Sequence, residues 1–349
     1  MNDRKLNLII GWICFLISFI VYYLTAEPTV GFWDTGEYIT TSAKLQVGHP
    51  PGAPLYQMLG AIFSIFAFEK ENIGFIMNLM SGFASALAIS FMYWSIILIL
   101  KKITDTSEAS INKQILISGS ALVGSLAFAF TDTFWFSAVE TEVYAMATLI
   151  MAVIFYLGLR WEADMHNSRG NKWLLLICFV IGLSFGVHFM GLLVIPAIVM
   201  IYYFKNQKTI LNSTKVNPII GFFIANIIGL GILMGVFKLL LPNTLKFFSA
   251  IELLFVNNLG LPFNSGTLVA FVVIVYAFYF LINYTRKKGM VRANTITLCF
   301  LFIFIGFSSW LILPIRANAD VVVNENDPSN ARELLAYYNL EQYPKTYLF

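Results

Sequence analysis

The sequence predicts an all-α polytopic membrane protein, with about nine transmembrane helices and two amphipathic helices in the first long loop. Three observations predict it. Hydrophobic residues fill 58% of the 349 positions and charged residues only 12%, about half the charge of a soluble globular chain. The apolar residues come in long blocks, and a helix rising ~1.5 Å per residue needs roughly 20 of them to cross a ~30 Å hydrocarbon core. The alternating pattern of a membrane barrel is absent, and helices satisfy every backbone polar group within the span. A net charge of only +3 points to no nucleic-acid partner.

In chain order, spans are expected at 6–25, 73–100, 115–131, 136–159, 173–187, 189–204, 217–241, 267–285 and 294–314. The fifth and sixth are short, and Pro196 interrupts the sixth. A further apolar block at 54–68 follows His49-Pro50-Pro51-Gly52-Ala53-Pro54. It is too short for a full span and reads as an interfacial or re-entrant helix. Positive charge supports leaving it out. With the N-terminus cytoplasmic and 26–72 an outside loop, the basic clusters all fall inside. These are Arg4-Lys5, Lys101-Lys102 with Lys113, Arg160 with Arg169 and Lys172, Lys205 with Lys208 and Lys215, and Arg286-Lys287-Lys288 with Arg292. Counting 54–68 as a span would put every cluster from Lys101 on outside. The first apolar run is longer than a signal peptide's, with no small-residue cleavage site after it, so it is expected to be retained. Cys14, Cys178 and Cys299 lie in spans without metal spacing and read as packing.

Polar chemistry collects on the outside face. The first loop reads Gly31-Phe32-Trp33-Asp34-Thr35-Gly36-Glu37-Tyr38. If Gly36 opens a helix, Asp34 sits near its N-terminus, where backbone N–H groups stabilise a carboxylate. The residues alone leave open that Asp34 is only a cap and Glu37 only a solvated charge. The stretch 37–47 is amphipathic, and the proline corner joins it to the 55–68 helix, so two surface helices are expected on the outer leaflet. A second acidic group, Glu140 and Glu142, precedes Tyr144 at the outer end of the fourth span. On a helix the two glutamates point about 200° apart, so one at most faces a site, and Glu140 shares its face with Tyr144. A carboxylate entering an apolar span is a functional candidate by default; the plainer reading is a glutamate reaching water. His188 lies at the outer junction of the two short spans, where hydrogen-bonded packing is the commoner role. His49 sits beside the proline corner. His166 is a solvated loop residue. Three scattered histidines give no zinc motif. Arg316 breaks the inside-positive pattern, and a cation there suits either a lipid phosphate or an interfacial anchor. No nucleotide-binding, kinase or hydrolase motif and no inverted repeat is visible.

The string FWDTGEYITTSAKLQVGHPPGAPLY at 32–56 resembles the signature of the domain-of-unknown-function 2723 family, protein O-mannosyltransferase-like enzymes of the GT-C superfamily. FWFSAVETEVYAM at 134–146, GLSFGVHFMGLLVIPA at 182–197 and the stretch 314–343 are similar to the same family. The resemblance implies a GT-C-like helix bundle over 1–316, a first outer loop at 26–72 with two amphipathic helices, and a donor that is a polyprenyl-phosphate sugar. It implies Asp34 as the catalytic acid of that loop, with Glu37 second; Thr35 stands where many relatives carry a second acid. Substrate contacts fall to Trp33, Tyr38, His49, Glu140, Glu142, Tyr144, His188 and Arg316. The reaction implied is transfer of a sugar, with mannose expected, to Ser/Thr hydroxyls of secreted or membrane proteins on the extracytoplasmic face. Abundant Lys, Asn and Ile point to a bacterial plasma membrane. No obligatory cofactor is implied; a divalent ion is compatible with the outer carboxylates but no cation loop supports it. The polar tail 317–349, with a short helix near 329–339, is expected to begin a soluble region that the family continues into. Two other readings stay open: a transporter or flippase, and a non-catalytic scaffold or fragment of the same family.

Overall fold

The computed structural model describes residues 3–104, 111–167 and 169–344. Among them there is no strand, only helices and one isolated parallel bridge between Val47 and Asn324. Seven helical runs are long and apolar enough to cross a membrane. An eighth arises if the pair Ile111–Ala129 and Asp132–Val139, bent by 66°, counts as one span. The expected span at 173–187 is a helix of 14 residues, Asn171–Ser184, too short alone for a core needing roughly 20. Among the described residues seven or eight runs thus meet that length, and each of the nine expected segments carries a helix.

The chain divides into two compact units. The first comprises Met1–Lys44, Tyr56–Ile177 and Val187–Val194. Its centre is α4 (Ile73–Ile103), against which α1 (Asp3–Thr25), α5 (Ile111–Ala129), α6 (Asp132–Val139) and α7 (Val143–Asp164) pack. The residues of α4 explain this role: Ser81, Gly82, Ala84, Ser85, Ala86, Ala88 and Ser90 are all buried, and small side chains let membrane helices approach closely. Polar side chains bind the bundle internally. Asn7 Oδ1 accepts from Tyr93 and Ser118 hydroxyls, each at 3.0 Å, joining α1, α4 and α5. Tyr22 donates to the Ala129 carbonyl at 2.8 Å. At one end, ion pairs join Lys101 to Asp3 and Lys102 to Glu162. The loop helices α2 (Thr35–Ala43) and α3 (Pro54–Ser64) form as expected, α3 opening on a proline whose missing N–H is not needed there.

The second unit comprises Leu45–Leu55, Cys178–Gly186 and Ile195–Phe349, described to residue 344. Here α9 (Ile195–Thr214) continues a 3-10 turn at Phe189–Val194, and Pro196 stands in the first turn after that change, where its missing N–H is tolerated. The expected span at 217–241 is longer: α10 (Pro218–Met234), a π turn at Gly235–Leu240, α11 (Leu241–Leu253) and a second π turn at Leu254–Asn258 run on as one helix. Pro242 cannot donate to a carbonyl one turn back, and the widened π turn just before it absorbs that break. Glu252, only 5% exposed, accepts from Asn264 N, Thr267 N and Thr267 Oγ1 at 2.6, 2.7 and 2.9 Å, closing the start of α12 (Ser265–Lys287). After α13 (Val291–Phe307) and α14 (Ile312–Ala317), the tail folds back onto this unit through α15 (Ala331–Tyr338). Asn330 caps α15 through Arg332 N and Glu333 N. Tyr337 donates to the Gly48 carbonyl and Tyr338 to the Phe237 carbonyl of the π turn.

Candidate active site

The acidic residues of the first loop and of the α6–α7 junction meet at one end of the first unit. That end holds the C-terminus of α1 and the N-termini of α4 and α7; the Lys101–Asp3 and Lys102–Glu162 pairs mark the other. Trp33 brings the chain into α2 with a left-handed backbone, φ 60°, a conformation uncommon for a bulky residue. Its ring is 89% exposed and that of Phe32 80%. Asp34 follows at the N-cap position, exposed, and makes no capping hydrogen bond. The helix starts at Thr35, one residue earlier than expected, and Glu37 lies in its first turn. There the helix N-terminus favours a carboxylate.

Tyr38 is the side chain these acids share. Burial raises its pKa first, and the charges of Glu142, Asp34 and Glu37 add to the rise, with Tyr144 a smaller contributor. Its phenol therefore keeps its proton throughout the physiological range and can donate a hydrogen bond. The Tyr38 ring meets that of Tyr56 edge-on, centroids 5.4 Å apart, and Tyr56 is fully buried. Tyr144 meets His188 at 5.2 Å. His188 Nδ1 accepts from Met190 N at 3.1 Å, and burial lowers the imidazole pKa, which favours the neutral ring.

The expectation that Glu140 and Glu142 lie on one helix and point apart is overturned. Glu140 ends α6, Glu142 precedes α7, and both have extended backbones. Nor does Glu140 share a helical face with Tyr144, since only Tyr144 lies on α7. Glu140 is 8% exposed, with the backbone of Gly31 against its carboxylate. Burial, and then the charge of Glu27, raise its pKa.

This raised pKa carries a stability prediction. The folded chain binds the Glu140 proton more tightly than the unfolded chain. Stability therefore falls as pH climbs from the ordinary carboxylate range through the folded value, and the loss is complete above it. Glu140→Gln removes this dependence. Its melting temperature is expected to exceed the wild type's at pH 8 and to converge with it near pH 4. Parallel curves from pH 4 to 8 would refute the assignment.

Two expected site residues belong to the second unit. His49 sits at the corner containing the cis Pro50–Pro51 peptide. Arg316 Nε donates to the Leu45 carbonyl at 2.5 Å, and Val47 pairs with Val323 and Glu325 through its backbone. Among the described residues, no three His, Cys, Asp or Glu side chains are grouped to hold a metal ion.

Sequence reading missed Asn78, Thr141, Glu27 and Tyr56. Asn78 and Thr141 are wholly buried. A signal existed for Asn78, an amide inside an apolar span, where polar groups are costly. The others carry no local signal.

A family model described as the protein O-mannosyl-transferase TMEM260 N-terminal domain matches residues 34–211, from the first acid into α9. The protein O-mannosyl-transferase tmem260 of Dictyostelium discoideum is 24% identical over 210 residues, covering 57% of this chain and 24% of that protein. The protein O-mannosyl-transferase TMEM260 of Mus musculus is 27% identical over 167 residues, covering 47% of this chain and 21% of that protein. The chain thus spans about a quarter or less of the length of these relatives. No solved structure matches. With the family model covering a little over half of the chain and every acid of the cluster but Glu27, this protein belongs to the TMEM260 N-terminal-domain family of protein O-mannosyl-transferases.

Proposed function

We propose that this chain is a membrane glycosyltransferase that moves a sugar, mannose in our reading, from a polyprenyl-phosphate donor to Ser or Thr hydroxyls of proteins at the extracytoplasmic face. The observation that carries the reading is the meeting of the Asp34–Glu37 loop with the Glu140–Glu142 segment at one bundle end, where Gly31 lies against the Glu140 carboxylate and Glu27 N donates to the Val139 carbonyl. The acceptor Oγ attacks the anomeric carbon, its proton passes to Asp34, and the bond from that carbon to the phosphate oxygen breaks. The lipid phosphate leaves with the electron pair. Glu37 supports Asp34, Tyr38 donates to a sugar or phosphate oxygen, and Glu140 and Glu142 orient sugar hydroxyls or the acceptor. Trp33 and Tyr144 offer ring faces to the sugar, with His188 behind Tyr144. No cofactor beyond the lipid-phosphate sugar is invoked.

The orientation rests on the basic clusters of the sequence; within the first unit, the Lys101 and Lys102 ion pairs lie at the bundle end opposite the acidic loop. The Lys-, Asn- and Ile-rich composition points to a bacterial plasma membrane. The test uses the whole chain in detergent with polyprenyl-phosphate mannose and a Ser/Thr peptide, read by mass spectrometry. Mannosyl-peptide is the expected product. A folded chain that binds donor and transfers nothing would favour a binding scaffold, and one that binds no donor would sink the reading.

A further inference from the structure

We propose that Asn78 and Thr141 form a buried clasp that positions the two acidic segments of the site relative to each other. The inference rests on the transferase reading for its effect on activity, and on geometry alone for its effect on structure. Asn78 Nδ2 donates to the carbonyls of Glu27 at 2.7 Å and Thr29 at 3.1 Å. Its Oδ1 accepts from the Thr141 hydroxyl at 2.5 Å. Glu27 N donates to the Val139 carbonyl at 3.0 Å, so the segments 27–29 and 139–141 are also joined directly. Gly74, one turn before Asn78, brings the α4 backbone against the Thr29 carbonyl, where a Cβ would stand only 2.7 Å away.

The chemistry of the clasp is specific. An amide donates twice and accepts from the same planar head, so one side chain faces two carbonyls on one segment and a hydroxyl on the other. Neither Asn78 nor Thr141 is exposed, so neither touches substrate; they are positioning residues. The clasped segments lead into the site. Thr29 is five residues before Asp34, and Thr141 lies between Glu140 and Glu142. The clasp also accounts for the break between α6 and α7 at 140–142, a stretch with no glycine or proline to break a helix. Buried polar groups that lose a partner are costly, and the chain avoids that cost by keeping 140–142 out of helix.

Thr141→Val removes the hydroxyl at nearly constant volume, and Thr141→Ser retains it. Asn78→Asp keeps the acceptor toward Thr141 but turns a carboxylate oxygen toward the Glu27 and Thr29 carbonyls. Spin labels at Phe32 and Phe136, in a whole chain with its three cysteines replaced by alanine, report the separation of the two segments. The wild type and Thr141→Ser are expected to give one narrow distance, and Thr141→Val and Asn78→Asp a broadened one. Unchanged distributions in both variants overturn the clasp, whether or not the chain transfers sugar.

Activity gives the second readout. Thr141→Val should lower kcat about 10- to 100-fold, the scale of an ångström-level misplacement, with KM for the donor within about threefold. Thr141→Ser should restore kcat. The pH profile should shift with it, because Glu142 would no longer be held beside Tyr38 with Asp34, Glu37 and Tyr144. A Thr141→Val chain with wild-type kcat and pH profile, alongside an inactive Asp34→Asn chain, would refute the clasp's catalytic role and leave the transferase reading standing. Equal transfer by wild type and Asp34→Asn would instead count against the base assignment.

Discussion

Asp34→Asn is expected to abolish transfer while leaving the fold intact. The loss of a positioned general base costs about 10²–10⁴ in rate, which brings a slow glycosyl transfer to background. Asp34 is exposed, and Asn is as good as Asp at an N-cap position, so the amide is expected to keep the helix start and the fold. Donor binding should persist. Glu37→Gln is the internal comparison. Glu37 acts on the same Tyr38 from the first turn of α2, but it is assigned a supporting role and should cost about tenfold or less. If Asp34→Asn transfers normally and Glu37→Gln is dead, the two roles are exchanged. If both are active, the base lies elsewhere, and Glu142 is the next acid to test.

What the sequence made legible is what physics writes locally. Apolar length and the placement of Lys and Arg located the helices, because hydrocarbon thickness and membrane topology act on each segment by itself. The proline corner and the short apolar block after it located α2 and α3. Polar residues collecting at one end of the spans pointed to Asp34, Glu37, Tyr38 and the Glu140–Glu142 pair. What failed was whatever depends on a partner far along the chain. Ala138-Val139-Glu140-Thr141-Glu142 has nothing in it to end a helix. Yet the helix stops at Val139 and resumes at Val143, and the bonds that hold the break reach Asn78 and Glu27. The expected span 217–241 is only part of the helical run from Pro218 to Asn258; a proline at 242 ordinarily ends a helix, and the π turn before it is a tertiary solution, with Tyr338 of α15 donating to the Phe237 carbonyl. Glu252 was overlooked for a related reason. Its partners Asn264 and Thr267 are 12 and 15 residues on, across a turn that local patterning does not connect.

The largest stability loss is expected from Gly182, where α8 (Asn171–Ser184) crosses α13 in the second unit. A Cβ at Gly182 would overlap the Ile303 carbonyl oxygen and stand 2.9 Å from Gly306 Cα. A Cβ at Gly306 would overlap the Phe179 carbonyl and stand 2.6 Å from Leu183 N. All these neighbours are backbone atoms, so no side chain can swing aside; a methyl group at either position must push the helices apart. Close approach through facing glycines is how helices associate in lipid, where the hydrophobic effect between them is absent and packing supplies the attraction. Separation would also strain the Trp310 Nε1 bond to the Phe185 carbonyl, 2.8 Å long, just beyond the end of α8. Overpacking a tight core typically costs about 1–3 kcal/mol and more when the backbone must move. Gly182→Ala should therefore lower the melting temperature by several degrees, about 2–4 °C per kcal/mol at this size. Gly182→Leu should prevent recovery of a monodisperse protein from detergent. Gly231→Ala is the control, since a Cβ there meets nothing within 4 Å, and alanine favours helix by about 1 kcal/mol over glycine. Equal melting temperatures for Gly182→Ala and Gly231→Ala would mean that the α8–α13 crossing is looser than the structure describes.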